Sequence, residues 1–281
     1  MPYDFNFGSQ TAKGGFANEK QVCVKFNNWK TDAEARIWLK IMGYDVDGID
    51  FVDALLIPVR ITKIQLKSFG LNENEYENLK FKKADIQVQI RLIIRINGAL
   101  RVENLSLKKA NAGADYNQVD KRSVDSYQEM WHFSDQVRDV LKVFSGEYSP
   151  SCYTQYLKPD VRLIDGRRAF LNEIKPEYVK QILEFFESNK TLIVSDVLKG
   201  RGGLSANWIL VTKYDSKNDK TTWILKDINT AMNFFAQGKT KVSPHGSLSI
   251  GRITMQRKGG TPDPTKLQFK IKPSQLIEAQ K

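Results

Sequence analysis

The chain has 281 residues, 41% of them hydrophobic and 27% charged, with a formal net charge of +11. That is enough for one large or two small globular domains with a sizeable core, and the composition excludes a disordered or low-complexity polymer. The excess of Lys and Arg predicts a polyanionic partner, and the absence of a basic amphipathic helix, a lipidation motif or an apolar run of bilayer length favours nucleic acid over a membrane surface.

The two cysteines, Cys23 and Cys152, have neither metal-ligand spacing nor a disulfide framework, and the two histidines, His132 and His245, form no zinc motif. Catalysis by a histidine base is therefore less expected than metal-and-lysine chemistry. The N-terminal MPYDFNFGSQ lacks the charged and apolar regions of a signal peptide, so a reducing cytoplasm is the expected compartment.

Residues 1–13 read as a loop. Gly14-Gly15 leads into a helix, FANEKQVCVKFNNWK, with Phe16, Val22 and Phe26 at helical spacing and Glu19 on the same helix. TDAEARIWLKIMGY is a second helix, capped by Thr31 or Asp32 and closed near Gly43. Residues 51–69 are apolar and β-rich, enough for a core strand or two. Residues 71–83 are polar and acidic, an exposed loop or short helix.

The organising stretch runs from Lys82 to Lys121. It opens with period-2 alternation, with Asp85, Gln87, Gln89 and Arg91 on one face and Ile86, Val88, Ile90 and Leu92 on the other. Asn97-Gly98 supplies hairpin turn chemistry. On the strand that follows, Asn104, Ser106 and Lys108 share one face, and Glu103, Leu105 and Leu107 the other. Pairing the two strands brings Asp85, Ser106 and Lys108 onto one polar face. A carboxylate beside a lysine suits Mg²⁺ and phosphoryl chemistry, although half-exposed sheets commonly carry such residues with no function.

Beyond the hairpin, 109–115 is flexible by composition, and YNQVDKRS forms a loop entering one helix, VDSYQEMWHFSDQVRDVLKVF. Gln118, Lys121 and Arg122 precede that helix, as a solvated helix start or as a DNA-contacting loop. Residues 146–177 read as an irregular connection. Pro176 opens an amphipathic helix, EYVKQILEFFESNK, and TLIVSDVLKG is apolar. The Gly-rich KGRGGLS (199–205) lacks the Walker A ending and reads as a tight turn whose amides, Lys199 and Arg201 approach a DNA backbone. Two strands flank the loop Asp215–Lys220, and INTAMNFFAQG is a short helix. SLSIGRITMQRK and LQFKIK read as strands. Their polar residues Arg252, Gln256, Lys258, Gln268 and Lys270, with Arg257 beside them, are either exposed strand side chains or readers of base edges.

The order of Asp, hairpin and x-x-Lys resembles the PD-(D/E)XK nuclease core. Four blocks, GSQTAKGGFANEK (8–20), ADIQVQ with NLSLKK, YNQVDKRSVDSYQEMWHF (116–133) and GRITMQRKGG with LQFKI (251–271), resemble in sequence and order the small type II restriction endonucleases of the HinP group, with MspI more remote. The resemblance implies an α/β fold, a mixed central sheet flanked by helices. It implies one endonuclease domain over 1–281, catalytic to about residue 145 and DNA-recognising from about residue 146. The implied activity is Mg²⁺-dependent cleavage of double-stranded DNA at a short GC-rich palindrome, GCGC first, by a prokaryotic cytoplasmic monomer or homodimer. Asp85, Lys108, Ser106 and Glu19 take the catalytic positions, with Asp85 and Glu19 as metal ligands. Tyr116, Gln118, Lys121, Arg122, Lys199, Arg201, Arg252, Gln256, Arg257, Lys258, Gln268 and Lys270 take DNA-contacting ones. Ser106 departs from the pattern, because the family carries Glu, Asp or Gln there, so a water or Glu19 must complete the metal site. Two alternatives stay open: a repair or nicking nuclease of the same fold and, because of that departure, a DNA-binding protein with a decayed metal site.

Overall fold

The computed structural model describes residues 17–58, 67, 88–110, 115–258 and 265–280. The chain forms two compact units, Met1–Asn117 with Lys199–Ala231 and Pro273–Lys281, and Gln118–Leu198 with Met232–Lys272.

Among the described residues the first unit is a mixed five-stranded sheet with helices. Its strands are β1 (Ile49–Leu56), β2 (Ile90–Ile96), β3 (Ala99–Ala110), β5 (Trp208–Asp215) and β6 (Lys220–Asp227), in the order β1-β2-β3-β5-β6. Every neighbouring pair is antiparallel except β3 and β5, which run parallel. Asn97 and Gly98 take φ of 49° and 77° at the β2–β3 turn, the left-handed backbone that Asn-Gly adopts at low cost. That two-residue turn sets the register, pairing Ile96 with Ala99 and therefore Arg91 with Asn104.

Helix α1 (17–27) and helix α2 (Ala33–Ile41) bury Val22, Phe26, Trp38 and Leu39 in one core with Leu92, Leu105, Leu107 and Leu210 of the sheet. Asp32 is the N-cap of α2, accepting from Ala35 N at 2.9 Å. Glu34 accepts from Trp223 Nε1 at 2.9 Å, tying α2 to β6.

The second unit is built on the strand order β4-β10-β9-β8-β7: β4 (Asn117–Arg122), β7 (Lys241–Val242), β8 (Leu248–Ile250), β9 (Ile253–Arg257) and β10 (Leu267–Ile271). Its helices are α3 (Val124–Trp131), α4 (Asp135–Ser145), α5 (Pro176–Ser188) and α6 (Lys190–Leu198). Helix α7 (Ile228–Ala236) follows β6, and α8 (Ser274–Glu278) ends the fold. Tyr127 and Trp131 stack at 4.6 Å between centroids and meet Phe269 edge-on; Trp131 also meets Phe186 edge-on. The buried indole N–H of Trp131 donates to Asp196 at 2.8 Å.

Three sequence expectations are corrected. The single helix expected after Ser123 is two. His132 turns left-handed at φ 57°, its N–H closing on Gln128 O at 2.7 Å, and Ser134 then caps a new helix through Val137 N. The loop expected around Gln118–Arg122 is strand β4. The strand expected over 247–258 is a hairpin, β8 and β9. Its turn residue Gly251 sits at φ 58°, where a Cβ would lie 2.6 Å from Ala236 O, so the turn requires glycine. The expected Asp85 strand begins outside the described residues; the ladder with β3 is described from Ile90.

Candidate functional site

The site begins on β3, the central strand of the first sheet. Alternation places Asn104, Ser106 and Lys108 on one face and Glu103, Leu105 and Leu107 on the other. Glu103 is held on the core side, accepting from Tyr44 Oη at 2.6 Å and Trp208 Nε1 at 2.9 Å. It is therefore committed to packing against β5 and the segment that follows α2. On the other face Asn104 (6% exposed), Ser106 (1%) and Lys108 (9%) are all buried. Ser106 and Lys108 pair in register with Ile209 and Val211 of β5, so apolar neighbours flank them on that side.

Ser106 Oγ has no hydrogen-bond partner among the described residues. A buried hydroxyl without a partner costs free energy unless something outside the described chain satisfies it. Asn104 is the reverse case. Its Nδ2 donates to Gly203 O at 3.0 Å and Ser205 O at 2.9 Å, and its Oδ1 accepts from Arg91 at 3.2 Å. Arg91 donates in turn to Gly203 O at 3.0 Å, and Asn207 Oδ1 accepts from Asn104 N at 2.8 Å. The Gly-rich turn that carries Lys199 and exposed Arg201 is thus fastened to the sheet face one pleat from Ser106. Neither Arg91 nor Asn104 was named as a site residue from the sequence. The signal was present, because a two-residue Asn-Gly turn fixes the pairing that brings them opposite one another.

Glu19 lies on α1, half-buried. Burial pushes its carboxyl above the ordinary glutamate value, and the positive charge of Lys108 partly opposes that shift. Beside it, Asn18 Nδ2 donates to Thr212 Oγ1 at 2.9 Å, holding the start of α1 to β5. Asp85 lies outside the described residues. Among the described residues no three His, Cys, Asp or Glu side chains gather as a metal cage.

The remaining predicted residues divide between the units. In the first, Tyr116 is exposed beside buried Asp115, whose carboxylate accepts from Ser274 N at 2.7 Å. In the second, Gln118 is exposed on β4 and Lys121 is half-exposed. Arg122 pairs with Asp120, a fully buried carboxylate, at 3.3 Å.

Arg252 occupies the β8–β9 turn, its guanidinium 4.0 Å from the Phe234 ring centroid and donating to Gln237. Gln256 and Gln268 are register partners across β9 and β10, and Lys270 pairs with Thr254. Gln268 is buried, and its amide donates to the carbonyls of Arg257 and Lys258 at 3.2 Å each, closing the strand ends. Arg257 reaches Asp165 at 3.6 Å, and Lys258 N bonds Lys266 O at 2.7 Å. Lys270 has no hydrogen-bonding or charged partner among the described residues, and burial holds its amine below the ordinary lysine value.

Comparison with known proteins adds two findings. A family model described as R.HinP1I restriction endonuclease matches residues 76–277. Among solved structures, the crystal structure of restriction endonuclease MspI in complex with its cognate DNA is similar. The match has a TM-score of 0.60 and 12% sequence identity, covering 96% of this chain and 93% of that one. At that identity the likeness is one of fold, and it agrees with the expected mixed α/β architecture. No curated protein matches the chain by direct sequence comparison.

Proposed function

Because the chain belongs to the R.HinP1I restriction endonuclease family, we propose that it is a Mg²⁺-dependent type II enzyme that hydrolyses double-stranded DNA at a short GC-rich palindrome, GCGC before others. The family makes it a DNA endonuclease; the metal, the site and the residues are the proposal. The observation that carries it is the pair Ser106 and Lys108, buried on one face of β3, with Glu19 in electrostatic reach of Lys108.

The donor chemistry fits a hard divalent cation. The candidate ligands offer only oxygen: the carboxylates of Asp85 and Glu19, and the Ser106 hydroxyl, which has no hydrogen-bond partner among the described residues. One or two carboxylates are the usual protein share of a Mg²⁺ site, since waters and substrate phosphates supply the rest. A bound Mg²⁺ supplies Lewis-acid stabilisation of charge on the phosphoryl oxygens. Lys108 Nζ holds the attacking water and a non-bridging phosphate oxygen, so that negative charge builds next to an ammonium already in place. The water oxygen bonds to phosphorus in line as the bond to the 3′ oxygen breaks; the water gives up its proton to solvent, and solvent protonates the leaving oxygen. Lys199, Arg201 and Lys121 bind phosphates along the duplex, while Gln256 and Lys270 read base edges.

Digestion of a sequenced plasmid with Mg²⁺, followed by mapping of the ends, tests the reading. Discrete ends at one palindrome are expected. Tight duplex binding without cleavage under any divalent metal would establish the non-catalytic alternative instead.

A further inference from the structure

The paired ladder between β2 and β3 stops at Ile90 and Leu105. One residue earlier, Gln89 continues the connection in a different way. Its N–H donates to Leu105 O at 3.0 Å, and its carbonyl accepts from Ile57 N, one residue past β1, at 2.9 Å. Its side-chain Oε1 accepts from Leu107 N at 2.6 Å. A side chain thus takes the β3 amide that comes next once main-chain pairing has ended.

That amide belongs to the peptide joining Ser106 to Leu107, so it lies between the two residues on which the proposed site rests. Backbone groups point to alternate sides along a strand. Asn104 N and O both bond Asn207, on the β5 side. Leu105 O and Leu107 N therefore face β2, where Gln89 meets both. Leu107 is buried, and a fold rarely leaves a buried backbone donor unmet. Gln89 is pinned by its own N–H and carbonyl to the strands on either side, so the acceptor it offers is fixed rather than swinging.

We propose that Gln89 is a positioning residue of the active site: through Leu107 N it holds the peptide between Ser106 and Lys108, and so fixes where the hydroxyl and the ammonium stand for the reaction. Lys108 follows Leu107 directly, and Ser106 precedes it, so a shift of this one peptide moves both. Small misplacements of a reacting or charge-stabilising group cost up to about 10²-fold in rate. The inference rests on reading Ser106 and Lys108 as part of a nuclease site.

The test uses the full-length protein. Gln89→Met keeps the length of the side chain and removes the acceptor; Gln89→Glu keeps the acceptor. Hydrogen exchange of the Leu107 amide, without metal, reads the bond itself. It should be slow in wild type and in Gln89→Glu, and about tenfold faster in Gln89→Met. Single-turnover cleavage in Mg²⁺ should fall roughly 10- to 100-fold in Gln89→Met, with duplex affinity in Ca²⁺ unchanged, and recover in Gln89→Glu. In a Lys108→Ala background Gln89→Met should cost little further, because the group it positions is gone, whereas a merely structural role would add its full penalty there. Full-rate cleavage by Gln89→Met, fast Leu107 exchange in wild type, or full additivity with Lys108→Ala overturns the proposal. If Gln89→Met does not fold, Gln89→Glu decides: slow exchange with wild-type cleavage upholds it, and slow exchange with lost cleavage overturns it. A wild-type protein that cuts no duplex in Mg²⁺ sinks the nuclease reading and this role together; one that cuts no faster than Gln89→Met sinks this role alone.

Discussion

Asn104 and Ser106 are next neighbours on one buried face of β3, yet the Asn104 side chain makes three hydrogen bonds and the Ser106 hydroxyl none among the described residues. The fold spends Asn104 on holding the Gly-rich turn and leaves Ser106 open. Ser106→Ala should therefore stabilise the metal-free protein by about 1 kcal/mol, since it removes a buried group without a partner. The same change should raise the Mg²⁺ concentration for half-maximal cleavage. Denaturant melts without metal and a Mg²⁺ titration check the two halves; a destabilised Ser106→Ala would mean that the hydroxyl is bonded within the protein.

Asn104→Ala should act in the opposite sense. It takes the Asn104 donor from the carbonyls of Ser205 and Gly203, the latter keeping Arg91, and removes one of the acceptors of Arg91, at a cost of about 2–3 kcal/mol. Cleavage should fall with DNA affinity, because the turn carrying Lys199 and Arg201 loses its anchor. A variant as stable as wild type would show that this anchor contributes nothing.

Lys108→Ala and Asp85→Ala should each lower the cleavage rate by on the order of 10² to 10³ or more, with binding in Ca²⁺ retained. Single-turnover cleavage beside a binding titration separates the effects. Near-normal cleavage by either variant removes that residue from the site.

Glu19 gives a pH signature. Its carboxyl is raised by burial, so its stabilising contribution is complete below the ordinary glutamate value and is lost as pH rises through the raised one. The metal-free protein should lose stability over that interval, and Glu19→Gln should abolish that loss while raising the Mg²⁺ requirement. Melts over the acidic range, with and without metal, decide it; an unchanged metal requirement excludes Glu19 as a ligand.

Lys270 has the mirror-image signature. Its amine is depressed by burial, so its contribution is present above the ordinary lysine value and lost as pH falls through the depressed one. While it is protonated the half-buried ammonium is a burden, and Lys270→Met should stabilise the free protein. If Lys270 reads a base edge, the variant should also lose about 1–3 kcal/mol of discrimination between cognate and single-mismatch duplexes. Uniform weakening on all duplexes would make Lys270 a phosphate contact.

The hairpin was legible because alternation and Asn97-Gly98 specify strands, turn and register together. The separation of Glu103 from Lys108 followed from the same period. The break at His132 was hidden, because an apolar helical rhythm runs through it and only a left-handed residue and the Ser134 cap interrupt it. Helix α6 was legible only as apolar, since a helix buried on several sides has no polar face to mark its period. Strand β4 resembled a charged helix start because Asp120 and Arg122 neutralise each other at a spacing that sequence also permits in a loop.

The parallel pairing of β3 with β5 also bears on how the enzyme is made. Lys108 and Val211 are neighbours in the sheet but about a hundred residues apart along the chain, and most of the second unit is translated between them. A ribosome-bound chain that has emitted β1, β2 and β3 therefore presents the Lys108 strand with an open edge until β5 emerges. Such long-range closure slows folding and exposes the nascent chain to edge-to-edge association. It also means that prematurely terminated chains lack the strand beside the proposed active site, so a DNA-cutting protein completes that sheet only late in its own synthesis.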